Sequence, residues 1–183
     1  VSYDPFVFER RASERITVQG VEVGGGATVA VATTRRKWDA VAHKLARLGD
    51  FKPEFVIEDS GVVAIDPRDD QAVAALNAES EPRLVTVADG LNLRVIPAFR
   101  LLAARVNARH PILLKDNFDG EAAATSDEQA FVKNLLRAAT NIGSLLCDGI
   151  GDAVIVNGEE APGQSLRISY NILQAAGTRI FKT

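Results

Sequence analysis

The sequence predicts an α/β fold with a mainly parallel sheet and alternating helices, an abbreviated or open TIM-barrel-like domain. Three observations carry that reading. Short apolar, β-branched runs alternate with stretches of helical period, the pattern of βαβ units joined by right-handed crossovers. The chain has 183 residues, 46% of them apolar, enough for one sizeable core. About six strands follow the opening segment, fewer than a complete eight-fold barrel of about 250 residues needs.

The elements follow in order. Phe6-Val7-Phe8-Glu9, Ile16-Thr17-Val18 and Val21-Glu22-Val23 read as strands, with Gly20 turning the chain between the last two. Gly24-Gly25-Gly26 leads into a strand over Thr28–Ala32. From Lys37 to Leu48 the period becomes helical, with Trp38, Val41, Leu45 and Leu48 on one stripe and Gly49 as the stop. Phe55-Val56-Ile57 and Val62–Ile65 are strands, Asp69–Ala78 a short helix, and Arg83–Val87 a strand. A helical stretch over Leu91–Ala108 contains Pro97, which either kinks it or makes it start late. Pro111-Ile112-Leu113-Leu114 is unbroken in its apolar character, as strands buried on both faces are.

The best-marked helix spans Ser126–Cys147. Two capping boxes overlap at its start, Thr125 with Glu128 and Ser126 with Gln129, and Phe131, Leu135, Ala138, Ile142 and Leu146 form its stripe. Gly149 ends it, and Ala153–Val156 is the next strand. A last helix carries Leu166, Tyr170 and Leu173 and closes at Gly177.

Composition narrows the function. The formal net charge is −3 with both signs interspersed, so neither a nucleic-acid footprint nor a polybasic membrane anchor is expected. No apolar run approaches the ~20 residues that span a bilayer, and no signal-peptide layout opens the chain. Cys147 is the single cysteine, which excludes a disulfide framework or a cysteine-cluster metal site within this chain and suits a cytoplasmic, reducing setting. The chain opens at Val1 without any methionine and closes on the alternating run Thr178–Thr183, so an excised piece of a longer protein is the expectation.

Candidate sites are few. Gly24-Gly25-Gly26 fits neither phosphate-binding pattern, because a strand rather than a helix follows it, and reads as a flexible turn. His43 reads as a solvated or packed mid-helix residue, His110 as a strand-entrance residue, and Cys147 as a buried structural thiol. Glu58-Asp59, Asp66, Asp89 and Lys115-Asp116-Asn117 all follow predicted strands, where α/β sheets bind ligands. Such a ring could hold a cation or a polar substrate, yet the same residue types serve there as turn formers and N-caps, which is the commoner role. Gly149-Ile150-Gly151-Asp152 reads as a tight helix-to-strand junction.

Several of these segments resemble a known family. Asn141-Ile142-Gly143-Ser144-Leu145-Leu146-Cys147-Asp148-Gly149-Ile150-Gly151-Asp152-Ala153-Val154 resembles the end of a barrel domain in hydroxymethylbutenyl diphosphate synthase. The run Ser169–Thr183 resembles the segment entering that enzyme's cluster domain. Phe8-Glu9-Arg10-Arg11, and His110-Pro111 with Asp116-Asn117-Phe118, resemble the inserted middle domain of its large, three-domain form. The resemblance implies an isoprenoid-pathway oxidoreductase that reductively opens methylerythritol cyclodiphosphate, with electrons from ferredoxin or flavodoxin and a four-iron four-sulfur cluster. In the two-domain form it implies a dimer in which one subunit's cluster closes over the other's barrel.

The family's first cysteine pair lies beyond the position of Thr183, its phosphate-binding residues belong to another domain, and Cys147 matches no ligand. No catalytic, cofactor or metal residue is therefore carried over. Residues 1–162 are expected to be the inserted domain and 163–183 the start of the connection to the cluster domain. The expected role is a spacer, inactive alone, between barrel and cluster domains. Alternatives are a stand-alone enzyme on small phosphorylated or carboxylated metabolites, or a docking module for the electron donor. Ile180, Phe181 and Tyr170 are expected to be exposed or to pack on a second copy, giving weak self-association.

Overall fold

The computed structural model describes residues 9–49, 51–120 and 128–179. The predicted strand at Phe6–Glu9, the two capping boxes, and Ile180 and Phe181 lie wholly or partly outside them.

The chain opens with an antiparallel hairpin, β1 (Ile16–Val18) and β2 (Val21–Val23). Its two turn residues, Gln19 and Gly20, have φ of 49° and 84°. Both lie in the left-handed region, which gives the turn the hand that a two-residue hairpin favours. Six strands follow: β3 (Ala30–Thr33), β4 (Phe55–Val56), β5 (Val63–Ile65), β6 (Val85–Val87), β7 (Leu113–Lys115) and β8 (Ala153–Ile155). The order β4-β3-β8-β7 is one parallel sheet and β5-β6 a parallel pair, joined by the parallel bridge Val85–Ile112. The first of the six therefore lies beside the last, while β4 and β5 stand at the two ends of the order. A single 3-10 turn, Ile57–Asp59, connects that end pair without a crossover helix.

Helices occupy the other connections: α1 (Arg35–Val41), α2 (Asp70–Ala78), α3 (Val95–Arg105), α4 (Glu128–Ala138), α5 (Ser144–Cys147) and α6 (Pro162–Ala175). The long helix predicted from Lys37 ends early, passing at Ala42 into a 3-10 turn that runs to Arg47. Pro97 sits third in α3, where its missing N–H has no intrahelical partner to lose, so the helix starts late and is not kinked. A π-helical turn, Ala139–Gly143, joins α4 to α5 in one rod.

Alternation along each strand divides the core in two. Val29, Val31, Val85, Val87, Ile112, Leu114, Val154 and Val156 meet the helices, with Phe99, Leu102, Ile142, Leu145 and Leu173 against them. Ala30, Ala32, Phe55, Leu113, Ala153 and Ile155 face the other way and are covered by Val18 and Val23 of the hairpin. Burial on both faces is the physical reason that these strands are unbroken apolar runs. The hairpin is tied to the outer strand by the Gln19 side-chain amide, which donates to the Val56 carbonyl at 2.7 Å and accepts from the Val56 N–H at 3.1 Å.

Two expectations about side chains are corrected here. Cys147 is exposed, not buried: Leu145 and Leu146 hold the core side of α5, and the next residue is rotated off it. Tyr170 is 1% exposed. Its hydroxyl donates to the Lys52 carbonyl at 2.6 Å and its ring meets the edge of Phe51, so its polar tip is satisfied within the fold.

Candidate functional site

The carboxyl ends of β3, β7 and β8 gather polar residues, because each strand's hairpin-facing row turns polar at or just past the end of the ladder. Ala32 leads to Thr34, Leu113 to Lys115, and Ile155 to Asn157. These three, with Ile57, Glu58 and Asp89, line a cleft of about 400 Å³. Lys115 is 1% exposed and donates to Asp89 Oδ1 at 2.6 Å, with its ammonium 5.9 Å from the Phe118 ring centre.

Asp116 turns the other way and is fully buried. It accepts from the backbone N–H groups of Asn157 (2.7 Å) and Gly158 (3.0 Å) and lies 3.8 Å from Arg137. A methyl group on Gly158 would meet the Arg137 guanidinium and the Asp116 carboxylate, so a side chain there would displace that pair. A second hollow, of about 560 Å³, lies between Arg137, Asp116 and the start of α3 at Arg94.

The remaining carboxylates are engaged locally. Glu58 accepts from the Arg35 N–H at 2.9 Å, and Asp59 pairs with the Arg35 guanidinium. Asp66 accepts from the Arg68 backbone and side chain, and those bonds hold its carboxyl below the usual range. The ring is thus brought to one end of the sheet, but as two separate groups: Asp89 with Lys115, and Asp116 with Arg137.

Sequence reasoning missed Lys37. It is 1% exposed and its ammonium donates to the Val156 carbonyl at 2.9 Å. The available signals were its place one turn before Val41 on the buried stripe and Thr34 three residues earlier, whose hydroxyl caps the Lys37 N–H. His43 is exposed on the 3-10 turn.

The opposite end of the sheet holds His110 and the Gly149–Asp152 junction. His110 is fully buried and its Nδ1 accepts from the Arg83 N–H at 3.0 Å. Burial, and then the Arg109 charge, hold its imidazole below the ordinary value. Asp152 accepts from the Ile112 N–H at 2.9 Å and the Ser13 hydroxyl at 2.8 Å, beside Arg10 at 3.4 Å. Gly149, at φ 78°, packs so closely on the Glu9 carbonyl that a side chain cannot enter, which confirms the tight junction. The three glycines Gly24–Gly26 also have positive φ. Gly24 and Gly25 are hemmed in by the backbone at Glu14 and Arg15, so the turn is tightly packed where a flexible one was expected.

No protein-family model matches the chain. It is 41% identical over 98% of its length to the 4-hydroxy-3-methylbut-2-en-1-yl diphosphate synthase (flavodoxin) of Akkermansia muciniphila. The chain belongs to the 4-hydroxy-3-methylbut-2-en-1-yl diphosphate synthase family. It spans 30% of that relative's length, so it corresponds to a part of a longer protein. Synthases named for ferredoxin are similar over shorter stretches, at 34% identity over 46% of the chain in Picosynechococcus and 43% over 24% in Crocosphaera subtropica. These cover 20% and 11% of those synthases. Among the described residues, no helix is long and apolar enough to cross a membrane.

Proposed function

We propose that this chain is the segment inserted between the catalytic barrel and the cluster-bearing domain of a large-type synthase, and that it acts there as a spacer without a reacting group of its own. In this reading the whole protein is a cytoplasmic oxidoreductase of isoprenoid biosynthesis. It converts 2-C-methyl-D-erythritol 2,4-cyclodiphosphate to 4-hydroxy-3-methylbut-2-enyl diphosphate with electrons from flavodoxin or ferredoxin. The observation that carries the proposal is the pairing of 98% coverage of this chain with 30% coverage of its relative.

The polar end of the sheet supports the spacer role. Lys115, Asp116, Glu58, Asp59 and Asp66 each bind a neighbour in the fold. A four-iron four-sulfur cluster requires several thiolates converging on one site. The sequence holds Cys147 alone, and no group of three or more His, Cys, Asp or Glu among the described residues could hold a metal ion. The residues present therefore do not fit the cluster.

Subunit complementation tests the proposal in the full-length protein. One variant has an inactivated barrel and the other lacks a cluster ligand. If the segment lets each chain close on itself, mixing them restores no activity, whereas excising the segment from both allows mixed dimers to recover it. Recovery with the segment in place overturns the spacer role.

A further inference from the structure

The outer side of the α4–α5 rod carries large apolar side chains where a surface helix is ordinarily polar. Among the described residues, Val132 and Leu136 are the exposed large hydrophobics, at 49% and 62% exposure, and they stand one turn apart on α4. The rod's inward positions are already complete, since Ala138, Ile142, Leu145 and Leu146 are 0–2% exposed. The outer pair is therefore not demanded by this domain's own core.

Beside it runs a second row, Leu135, Ala139, Gly143 and Cys147, at a constant spacing of four. With Ile172 and Ala175 of α6 it lines a groove of about 380 Å³. In an uninterrupted α-helix of 3.6 residues per turn such a row drifts round the axis. The wider π-helical turn at Ala139–Gly143 counters that drift and keeps the row in line. The small residues at its centre leave room for large side chains from elsewhere.

We infer that this groove and the Val132/Leu136 row seat an apolar segment of the same polypeptide, from the part of the longer synthase that lies outside this chain. The inference rests on the reading of the chain as one segment of that protein. The length of the whole protein selects this occupant: most of the relative lies outside the match, because the chain covers only 30% of it. A tethered neighbour is held at high effective concentration, so a short apolar contact suffices.

Cys147 reports directly on coverage, because it is exposed in this domain and lines the groove. The test is alkylation of the full-length protein with N-ethylmaleimide under anaerobic conditions, read at the Cys147 peptide by mass spectrometry. The expected result is a rate at least about tenfold below that of the urea-unfolded protein, since alkylation follows thiol access. The double substitution Val132→Glu, Leu136→Glu should restore fast reaction. A native rate equal to the unfolded rate overturns the inference. So does protection that disappears on dilution, which would assign the groove to a second copy. Should the double variant fail to fold, the native rate and its dilution series still decide. Recovery of activity on mixing with the segment in place, while Cys147 stays protected, would remove the spacer role and leave the docking face intact. The reverse outcome would remove the docking face alone.

Discussion

The two ends of the sheet differ in their prevailing chemistry. At the amino ends of the strands, side-chain donors reach backbone carbonyls. Arg11 donates to the carbonyls of His110 (2.7 Å) and Asn107 (2.8 Å), Arg10 to those of Ala27 and Gly151, and Arg109 to those of Asn77 and Ser80. At the carboxyl ends, side-chain oxygens accept from backbone N–H groups, as Thr34, Glu58, Asp66, Asp69 and Asp116 all do. Helix direction accounts for part of the difference: the Asn77 carbonyl lies at the end of α2, and the Lys37 and Gln71 N–H groups lie in the first turns of α1 and α2. Helices finish at the first end and leave carbonyls unpaired, and they begin at the second and leave N–H groups unpaired. A ring of carboxylates at strand ends is therefore what an α/β fold needs for its own backbone.

The strongest test of that contrast is Asp152→Ala, because Asp152 is a carboxylate at the end served by guanidinium groups. Its removal leaves the Ile112 N–H without its acceptor and Arg10 without its carboxylate partner, and a loss of about 3–5 kcal/mol is expected from the denaturant midpoint. A loss below 1 kcal/mol would mean that water replaces it freely.

At the opposite end, Asp89→Asn should cost about 1–3 kcal/mol by leaving the Lys115 ammonium buried without its carboxylate. Lys115→Met should stay within about 1 kcal/mol, since exchanging a buried charge for an apolar chain is often neutral. Thermal unfolding of both variants gives the comparison. Equal losses would show that Lys115 does more than balance Asp89.

On the rod between the two ends, Leu145→Ala should cost about 2–5 kcal/mol. Half-buried Leu135→Ala should cost about 1 kcal/mol or less, because the groove already leaves it partly open.

The last effect depends on pH. Burial and Arg109 keep the His110 imidazole below its ordinary value in the folded chain. As pH falls through about 6.5, the unfolded chain takes up a proton that the folded chain does not, and stability declines until the folded imidazole also titrates. Urea titrations at pH 7.5 and 5.5 should show a smaller loss in His110→Asn. An unchanged loss would assign the acid sensitivity to other groups.

Much of this was legible in the sequence. The six parallel strands show as short, mostly apolar runs, and Asp69, Gly49, Gly149 and Gly177 mark helix ends as their chemistry predicts. Pro97 left two options, and only its position in the first turn chose between them. The misses share one cause, which is that periodicity gives the spacing of a stripe but not its width. Cys147 follows two core leucines and still falls outside. Lys37 precedes the stripe and falls inside, because the Val156 carbonyl is there to receive its ammonium. Leu135 packs against the core as its stripe position predicts, and it also lines the groove beside α6. The strand-end carboxylates were located correctly, but their division into two groups depends on side-chain direction at Lys115 and Asp116, which alternate across β7.

The pairing of β3 with β8 bears on how the chain comes to be folded. Ala30 lies opposite Ala153, so two neighbouring central strands are separated by most of the sequence. Closing so long a loop delays the contact and slows folding. During synthesis β3 emerges long before its partner, with β4 on one edge and the other edge open. Through that interval the Val29 and Val31 row lacks the neighbours that bury it, and an open apolar strand edge is where a nascent chain is captured by other chains. The yield of native protein should therefore depend more on translation speed and chaperone supply than the stability of the finished sheet suggests.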